Sequence, residues 1–409
     1  MGDHVIGCVY CDEVLSPYAL SCPKDNALVR AYYSAKQLKP KSLHGMWTFL
    51  DWLPVNGIIK DVGEAAVTYR SENLAAELGL DNLFISFSGY WPERNALMKT
   101  CSFKDLEAPP AIQRLIEKGD RSKLVVASAG NTARSFAQVA SVANYPLMLF
   151  VPEMAMKRMW LTVKKGPVTL FGVKGDYTDA INVAENVAVR PGFVAEGGAR
   201  NVARRDGMGT VMLDASLTIG QIPQHYFQAI GSRAGGISAW EAALRLKNDG
   251  CFGLGLPRLH LAQSFPNSPI FYFWKNMEPR YIEAEETYDD VLFNRKPPYE
   301  IKGGVKDALI NTDGQVYGIS NNEAENAKKV FEQSEEIDII NAPAVAVAAL
   351  INAVESRTIG TNDITLLNIT GGGMARLKED FDMNMLQPDA SISSAQEALE
   401  FLEDMRWRH

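Results

Sequence analysis

Between residues 124 and 263, short apolar runs alternate with stretches whose apolar residues recur at helical spacing, and this alternation leaves the chain few ways to fold. Strands are expected over 124–129, 147–151, 168–173, 193–195, 225–230 and 259–263. Helices are expected over 132–145, 177–189, 202–219 and 237–246, the first with Phe136, Val139, Ala140 and Ala143 on one face. A core helix at 344–354 and a buried strand at 364–369 follow, and the Pro-rich, charged stretch 294–302 reads as a surface loop. Strands separated by helices imply an α/β fold of parallel sheets joined by right-handed crossovers.

With 409 residues the chain exceeds the ~250–300 at which one hydrophobic core stops growing, so two domains are expected. A 46% hydrophobic and 22% charged composition excludes disorder. A net charge of −8 argues against nucleic acid or an anionic membrane as the main partner. The opening MGDHVIGCVYCDEVL lacks a basic segment followed by an apolar core. The uncharged stretches 135–152, 215–232 and 339–354 are interrupted by polar residues or Pro, short of the ~20 apolar residues of a span. No membrane is expected, and the cytoplasm is the expected compartment. Five cysteines do not make a disulfide scaffold, and Cys101 and Cys251 read as core residues. His225 and His260, in strand-like segments, read as structural.

Open parallel sheets bind ligands beyond the carboxyl ends of their strands. Three loops lie at such ends: Ser128-Ala129-Gly130-Asn131-Thr132, Gly231-Ser232-Arg233-Ala234-Gly235-Gly236 and Thr370-Gly371-Gly372-Gly373. A fourth segment, Ser102-Phe103-Lys104-Asp105, precedes a helix. The glycine loop is either a turn or a phosphate cradle at a helix N-terminus. The Ser128 loop either caps its helix or holds a carboxylate and a ring hydroxyl. Lys104 is either a solvated surface charge or a lysine in a dry pocket, with a lowered pKa, able to condense with a carbonyl cofactor.

In chain order, with the Lys104 segment first, the four segments resemble the fold-type II pyridoxal-phosphate enzymes, the group of threonine synthase, cysteine synthase and serine dehydratase. Longer blocks at 87–104, 197–205, 225–229 and 366–369 are similar to the threonine-synthase paralogues of coenzyme M biosynthesis. The resemblance implies two parallel-sheet α/β domains with pyridoxal 5'-phosphate between them. After an N-terminal Cys knuckle (1–30), the large domain would comprise 31–106 and 221–409, with a small domain, 107–220, inserted. Lys104 would carry the cofactor and move the substrate Cα proton, and Asn131 would meet the ring hydroxyl. Gly231, Ser232, Arg233, Ala234, Gly235 and Gly236 would cradle the cofactor phosphate. Thr370 would face the pyridine nitrogen, where a neutral hydroxyl does not force protonation and so favours loss of a β-leaving group. Ser128, Ala129 and Thr132 would grip the substrate carboxylate. Relatives usually carry Gly-Thr where Arg233-Ala234 stands, so a hydroxyl donor to the phosphate is absent. Arg204, from Asn201-Val202-Ala203-Arg204, would meet the substrate phosphate, with Arg134, Arg200 and Arg205 as neighbours and Lys157 and Trp160 lining the entrance.

The activity implied is β-replacement on O-phospho-L-serine with sulfite, giving L-cysteate and phosphate, in a homodimer. The alternative is threonine synthesis from O-phospho-L-homoserine. Cys101 before the serine, and Asp105-Leu106-Glu107 where threonine synthases carry Asp-Arg-Gly, argue against it. A cofactor-free binding protein on the same fold would not need the Lys104 and Asn131 motifs. Cys8-x-x-Cys11 with Cys22 and Asp25 is similar to a zinc knuckle with one ligand changed. The thiols are read as free, with no metal assigned to the site.

Overall fold

A computed structural model describes residues 4–231, 234–283, 286–292 and 299–407. Two sheets organise it. The larger has six strands in the order Gln315–Ile319, Arg258–Ser264, His225–Ala229, Thr365–Ile369, Leu83–Phe87 and Val67–Arg70. Every neighbouring pair is parallel except the edge strand Val67–Arg70. The smaller sheet orders Phe193–Ala195, Lys123–Ala127, Leu147–Pro152, Val168–Val173 and Ala390–Ile392, all parallel. Central strands such as Leu147–Pro152 and Thr365–Ile369 are buried at every residue. That is why they read as continuous apolar runs: helices cover both faces of a parallel sheet.

Helices over Asn131–Ala143, Tyr177–Ala188, Val202–Ile219 and Asn341–Glu355 match the expected segments to within a few residues. One boundary differs in a way that matters. The helix expected from 237 begins at Ala234, so Ala234, Gly235 and Gly236 form its first turn rather than a loop. Small residues carry no hydrophobic periodicity, which hid that turn from the sequence. Of the loop expected at 294–302, residues 294–298 lie outside the described residues; Tyr299 and Glu300 form a turn. Cys251 is exposed in the turn after Asp249, not in the core, whereas Cys101 is buried. His260 is buried, stacked on Phe227 with ring centroids 4.1 Å apart, and its Nε2 lies 3.0 Å from His225 Nδ1, a structural arrangement as expected. No described helix is long and apolar enough to cross a membrane.

The sheets do not follow the sequence division at two points. Ala390–Ile392, grouped by sequence with the large unit, pairs with Val168–Val173 of the smaller sheet. Val202–Ile219, grouped with the small unit, contributes Val202, Met208, Val211, Met212, Leu213 and Ala215 to the core beneath the larger sheet. Both segments go where their apolar faces are covered, not where chain order would leave them.

An antiparallel sheet of Val14–Leu15, His4–Cys8 and Val29–Tyr33 docks on that core. Buried charges lock it in place. Arg205 is fully buried, pairs with Glu241 at 2.9 Å, and donates to the carbonyls of Val29 and Ala199. Arg30 reaches the other Glu241 oxygen at 3.1 Å, and the Tyr33 hydroxyl donates to Asp206 at 2.5 Å. Removing one member of a buried pair strands the other in a medium that penalises unpaired charge. Arg205→Leu is therefore expected to lower unfolding stability by about 3 kcal/mol or more in urea titrations; a loss below about 1 kcal/mol would contradict this role.

Asp214, on the Val202–Ile219 helix, accepts a 2.9 Å hydrogen bond from the Thr68 backbone, yet burial pushes its carboxyl up to about 6. A raised carboxyl pKa favours the protonated folded state. Its contribution is present below the unfolded value near 3.8 and is lost as pH rises through about 6. Asp214→Asn should thus stabilise the protein by about 1–3 kcal/mol at pH 8 relative to wild type, with the gap closing below pH ~4. A pH-independent difference between the two proteins would count against it.

Candidate active site

The turn that presents Lys104 is held from several sides. Ser102 Oγ accepts from the Lys104 backbone, and Asp105 accepts from the backbone and hydroxyl of Thr100 at 3.2 and 2.7 Å. Phe103 N–H donates to the Thr370 carbonyl at 3.1 Å, and Ser135 Oγ donates to the Lys104 carbonyl at 2.8 Å. From below, the Val202–Ile219 helix presses on the same turn at Gly207. A Cβ there would lie 1.9 Å from the Leu106 carbonyl oxygen, so only glycine allows the approach.

Lys104 Nζ lies 2.6 Å from Glu107 Oε1, with the lysine side chain 18% exposed and the glutamate side chain fully buried. The other Glu107 oxygen pairs with Arg204, whose second amino group pairs with Glu196 at 2.7 Å. Lysine, glutamate, arginine and glutamate thus form one buried line of alternating charge. Burial lowers the Lys104 pKa below the usual lysine value, with Glu107 opposing and Arg204 reinforcing. Burial alone would raise the Glu107 carboxyl, but Arg204 and Lys104 outweigh it and hold the carboxyl below its usual range. Tyr177, at the start of its helix, feels the charges of Arg204, Glu196 and Glu107 and so borders the same cluster.

The Ser128–Thr132 loop leads into the helix that begins at Asn131, whose Ser135 bonds the Lys104 carbonyl. Ser128 Oγ accepts from Gly130 N–H at 3.1 Å, and the Ala129 carbonyl accepts from Arg158 at 2.9 Å. Asn131 Oδ1 accepts from Arg134 at 3.1 Å, which leaves its amide nitrogen as the group it can offer. Thr132 is half-buried in the first turn. Arg134 donates otherwise to the carbonyls of Arg158 and Thr100, and burial lowers its pKa to about 10. None of these three acceptors is a carboxylate, although the Asp105 charge also acts on Arg134.

At the larger sheet, Gly231 and Thr370 stand beyond the ends of adjacent parallel strands, Thr370 being 4% exposed. The helix from Ala234 packs so closely that a Cβ on Gly235 would lie 1.9 Å from Gln228 Nε2. Gln228 is itself fixed by Tyr226 and Asn368. The N–H groups of Ala234, Gly235 and Gly236 belong to a first helical turn without acidic residues, where backbone donors lack intrahelical acceptors. Ser232 and Arg233 lie outside the described residues.

These donors suit pyridoxal 5'-phosphate. A largely buried amine of lowered pKa, a helix N-terminus free of acid, the Asn131 amide and the neutral Thr370 hydroxyl match an aldehyde, a phosphate, a ring oxygen and a ring nitrogen in turn. Buried Arg204 Nε, Arg134 Nε and Glu196 Oε1 have no hydrogen-bond partner among the described residues, which leaves polar capacity for a ligand.

Several expectations change. Arg204 is not a bare cation: Glu107 and Glu196 neutralise it. Arg205 points to the opposite side, into Glu241, and Arg200 donates to the Asn26 carbonyl at 3.2 Å, so neither lines the site. Trp160 is buried with Arg134 over its ring at 4.5 Å, and Lys157 is exposed, so the entrance they were expected to share is not formed by Trp160. Glu107, Glu196, Arg158 and Tyr177 were missed. Glu107 alone had left a trace, as the acid three residues after Lys104 where threonine synthases carry glycine.

Residues 67–371 match the family described as pyridoxal-phosphate dependent enzyme. The chain is 55% identical to the cysteate synthase of Methanococcoides burtonii, over 96% of this chain and 94% of that one. It is 52% identical to the cysteate synthase of Methanothrix thermoacetophila, over 99% of this chain and all of that one. The fold is shared with threonine synthase from Escherichia coli, at 15% identity and a TM-score of 0.64 over 98% of this chain and 99% of that one. The strand-end glycine and lysine loops, the buried amine and these identities together place the chain in the fold-type II pyridoxal-phosphate dependent enzymes, within the cysteate synthase family.

Proposed function

We propose that this chain converts O-phospho-L-serine and sulfite into L-cysteate and phosphate by β-replacement, breaking a C–O bond and forming a C–S bond. The observation that carries the reading is Lys104 Nζ, held 2.6 Å from a buried carboxylate at the carboxyl edge of the larger sheet. The identity of the leaving group and of the nucleophile draws support from the cysteate synthases that share about half of its residues.

Bound pyridoxal phosphate would supply an electron-withdrawing ring that acidifies the substrate Cα–H. Lys104 would hold it, with the Ala234–Gly236 N–H groups at its phosphate, Asn131 at the ring oxygen and Thr370 at the ring nitrogen. The remaining work belongs to the chain. Lys104 Nζ moves the Cα proton, and Glu107 accepts or returns a proton at Nζ over 2.6 Å. Arg204 and Lys104 hold the Glu107 carboxyl below its usual range, which favours its ionised form. The Ser128–Thr132 loop, backed by Arg134 and Arg158, holds the substrate carboxylate. Arg204 meets the departing phosphate by exchanging Glu196 for it, a swap of one anion for another that leaves the arginine paired throughout.

Lys104→Ala should abolish cysteate formation, with a loss of at least about 100-fold, while the circular dichroism spectrum is unchanged. Wild type offered O-phospho-L-homoserine in water should yield no threonine. Threonine as the product, or retained turnover in the variant, would overturn the assignment. Glu107→Gln removes a carboxylate that favours the ammonium form, so the Lys104 pKa must fall. The rate at which cofactor-free protein takes up pyridoxal phosphate should then rise at lower pH in the variant than in wild type. A limb that stays in place or moves to higher pH would refute the role given to Glu107.

A further inference from the structure

We propose that Cys8, Cys11, Cys22 and Asp25 form a structural zinc site that staples the N-terminal sheet to the catalytic body. The free-thiol reading of the sequence does not account for how the four residues are arranged. One ligand atom from each lies within 4.8 Å of all the others. Cys11 Sγ and Cys22 Sγ are 3.7 Å apart, and Cys8 Sγ is 3.6 Å from both Asp25 oxygens. A tetrahedron with zinc–sulfur bonds of about 2.3 Å and a zinc–oxygen bond of about 2.0 Å has sulfur–sulfur edges of about 3.8 Å and sulfur–oxygen edges of about 3.5 Å. The Cys11–Cys22 and Cys8–Asp25 separations match those edges, and the remaining ligand pairs lie within 4.8 Å. A disulfide requires sulfurs about 2.05 Å apart, so the Cys11–Cys22 separation is not that of an oxidised pair.

The surroundings are those of thiolates and a fixed carboxylate. The N–H groups of Tyr10 and Cys11 point at Cys8 Sγ from 3.4 and 3.5 Å, as donors that stabilise a negative sulfur. Ala27 N–H holds Asp25 Oδ1 at 3.0 Å, which orients the carboxylate towards the sulfurs. Cys8 and Cys22 are buried together with Ala27 in a small cluster of their own, too small to hold a fold by hydrophobic burial. Three soft thiolates with one carboxylate in tetrahedral array select zinc over the hard cations.

The staple has a defined target. Leu20 packs against Gly197, where a Cβ would lie 2.8 Å from Leu20 Cδ2. The Asn26 carbonyl accepts from Arg200, and Leu28 N–H donates to the Lys302 carbonyl at 3.0 Å. The segment so clamped, 197–200, directly follows Glu196, the end of the buried charge line.

The test is elemental analysis of the full-length, cofactor-loaded protein after growth with zinc and dialysis against metal-free buffer. About one zinc per chain is expected, as in other closed sites with four protein ligands. The double variant Cys8→Ser, Cys22→Ser should fall at least about tenfold in zinc content, and Asp25→Cys should retain the ion. Cobalt-substituted wild type should show the intense visible bands of a tetrahedral thiolate site, and Asp25→Cys should strengthen the sulfur-to-cobalt absorption. Should the double variant fail to fold, the wild-type zinc content and the two cobalt spectra still decide. Wild type that holds no stoichiometric zinc even after incubation with the metal overturns the proposal, as does full zinc retention by the folded double variant.

Discussion

Burying charge without a partner costs several kcal/mol per ion, and this protein buries four charges in one line. Lys104, Glu107, Arg204 and Glu196 are tolerable only because they alternate and touch. That requirement couples parts of the chain that are far apart: the Lys104 turn, the start of the Val202–Ile219 helix, and the loop after Phe193–Ala195. Asn201 ties two of them directly, capping the helix through Ala203 N–H at 3.0 Å while its amide donates to the Glu196 carbonyl at 2.8 Å. Gly207 brings the helix close enough for Arg204 to reach Glu107. The position of Lys104 is therefore set by helix packing as much as by its own neighbours in sequence.

The groups proposed to bind anions follow a different rule. At the larger sheet they are backbone N–H groups at a helix start, pressed on Gln228 by a glycine that tolerates no side chain. At the smaller sheet they are backed by Arg134, which donates to two backbone carbonyls and one amide oxygen. Neutral acceptors satisfy those hydrogen bonds without cancelling the guanidinium charge. Arg204, by contrast, is cancelled by two carboxylates, and its attraction for an anion rests on exchange. The two arginines differ in partner, not in residue type.

Much of the fold was legible in the chain because parallel strands buried on both faces are continuous apolar runs, and their amphipathic helices carry a clear period. The first turn at Ala234 was not, since alanine and glycines lack that period. The exposed Cys251 and the distant Arg205 were misjudged for a related reason. Residue type states a preference for burial or charge, whereas a single turn of helix decides which way the side chain faces. Of the candidate site, Lys104, Asn131, Thr370 and the Ser128 loop could be singled out because each sits at a strand or helix end in a motif. Glu196, Arg158 and Tyr177 carry no motif, and only their proximity reveals them.

By itself, then, the order of residues determined the α/β architecture, the loops at strand ends and the lysine, because these depend on local period and on short motifs. The three-dimensional packing decided which charges pair, that Arg204 meets two carboxylates while Arg134 donates to neutral oxygens, that the C-terminal strand joins the smaller sheet, and that Cys8, Cys11, Cys22 and Asp25 converge. Those outcomes depend on distances between residues remote in the chain. Electrostatic energy falls with distance in space and takes no account of separation in sequence.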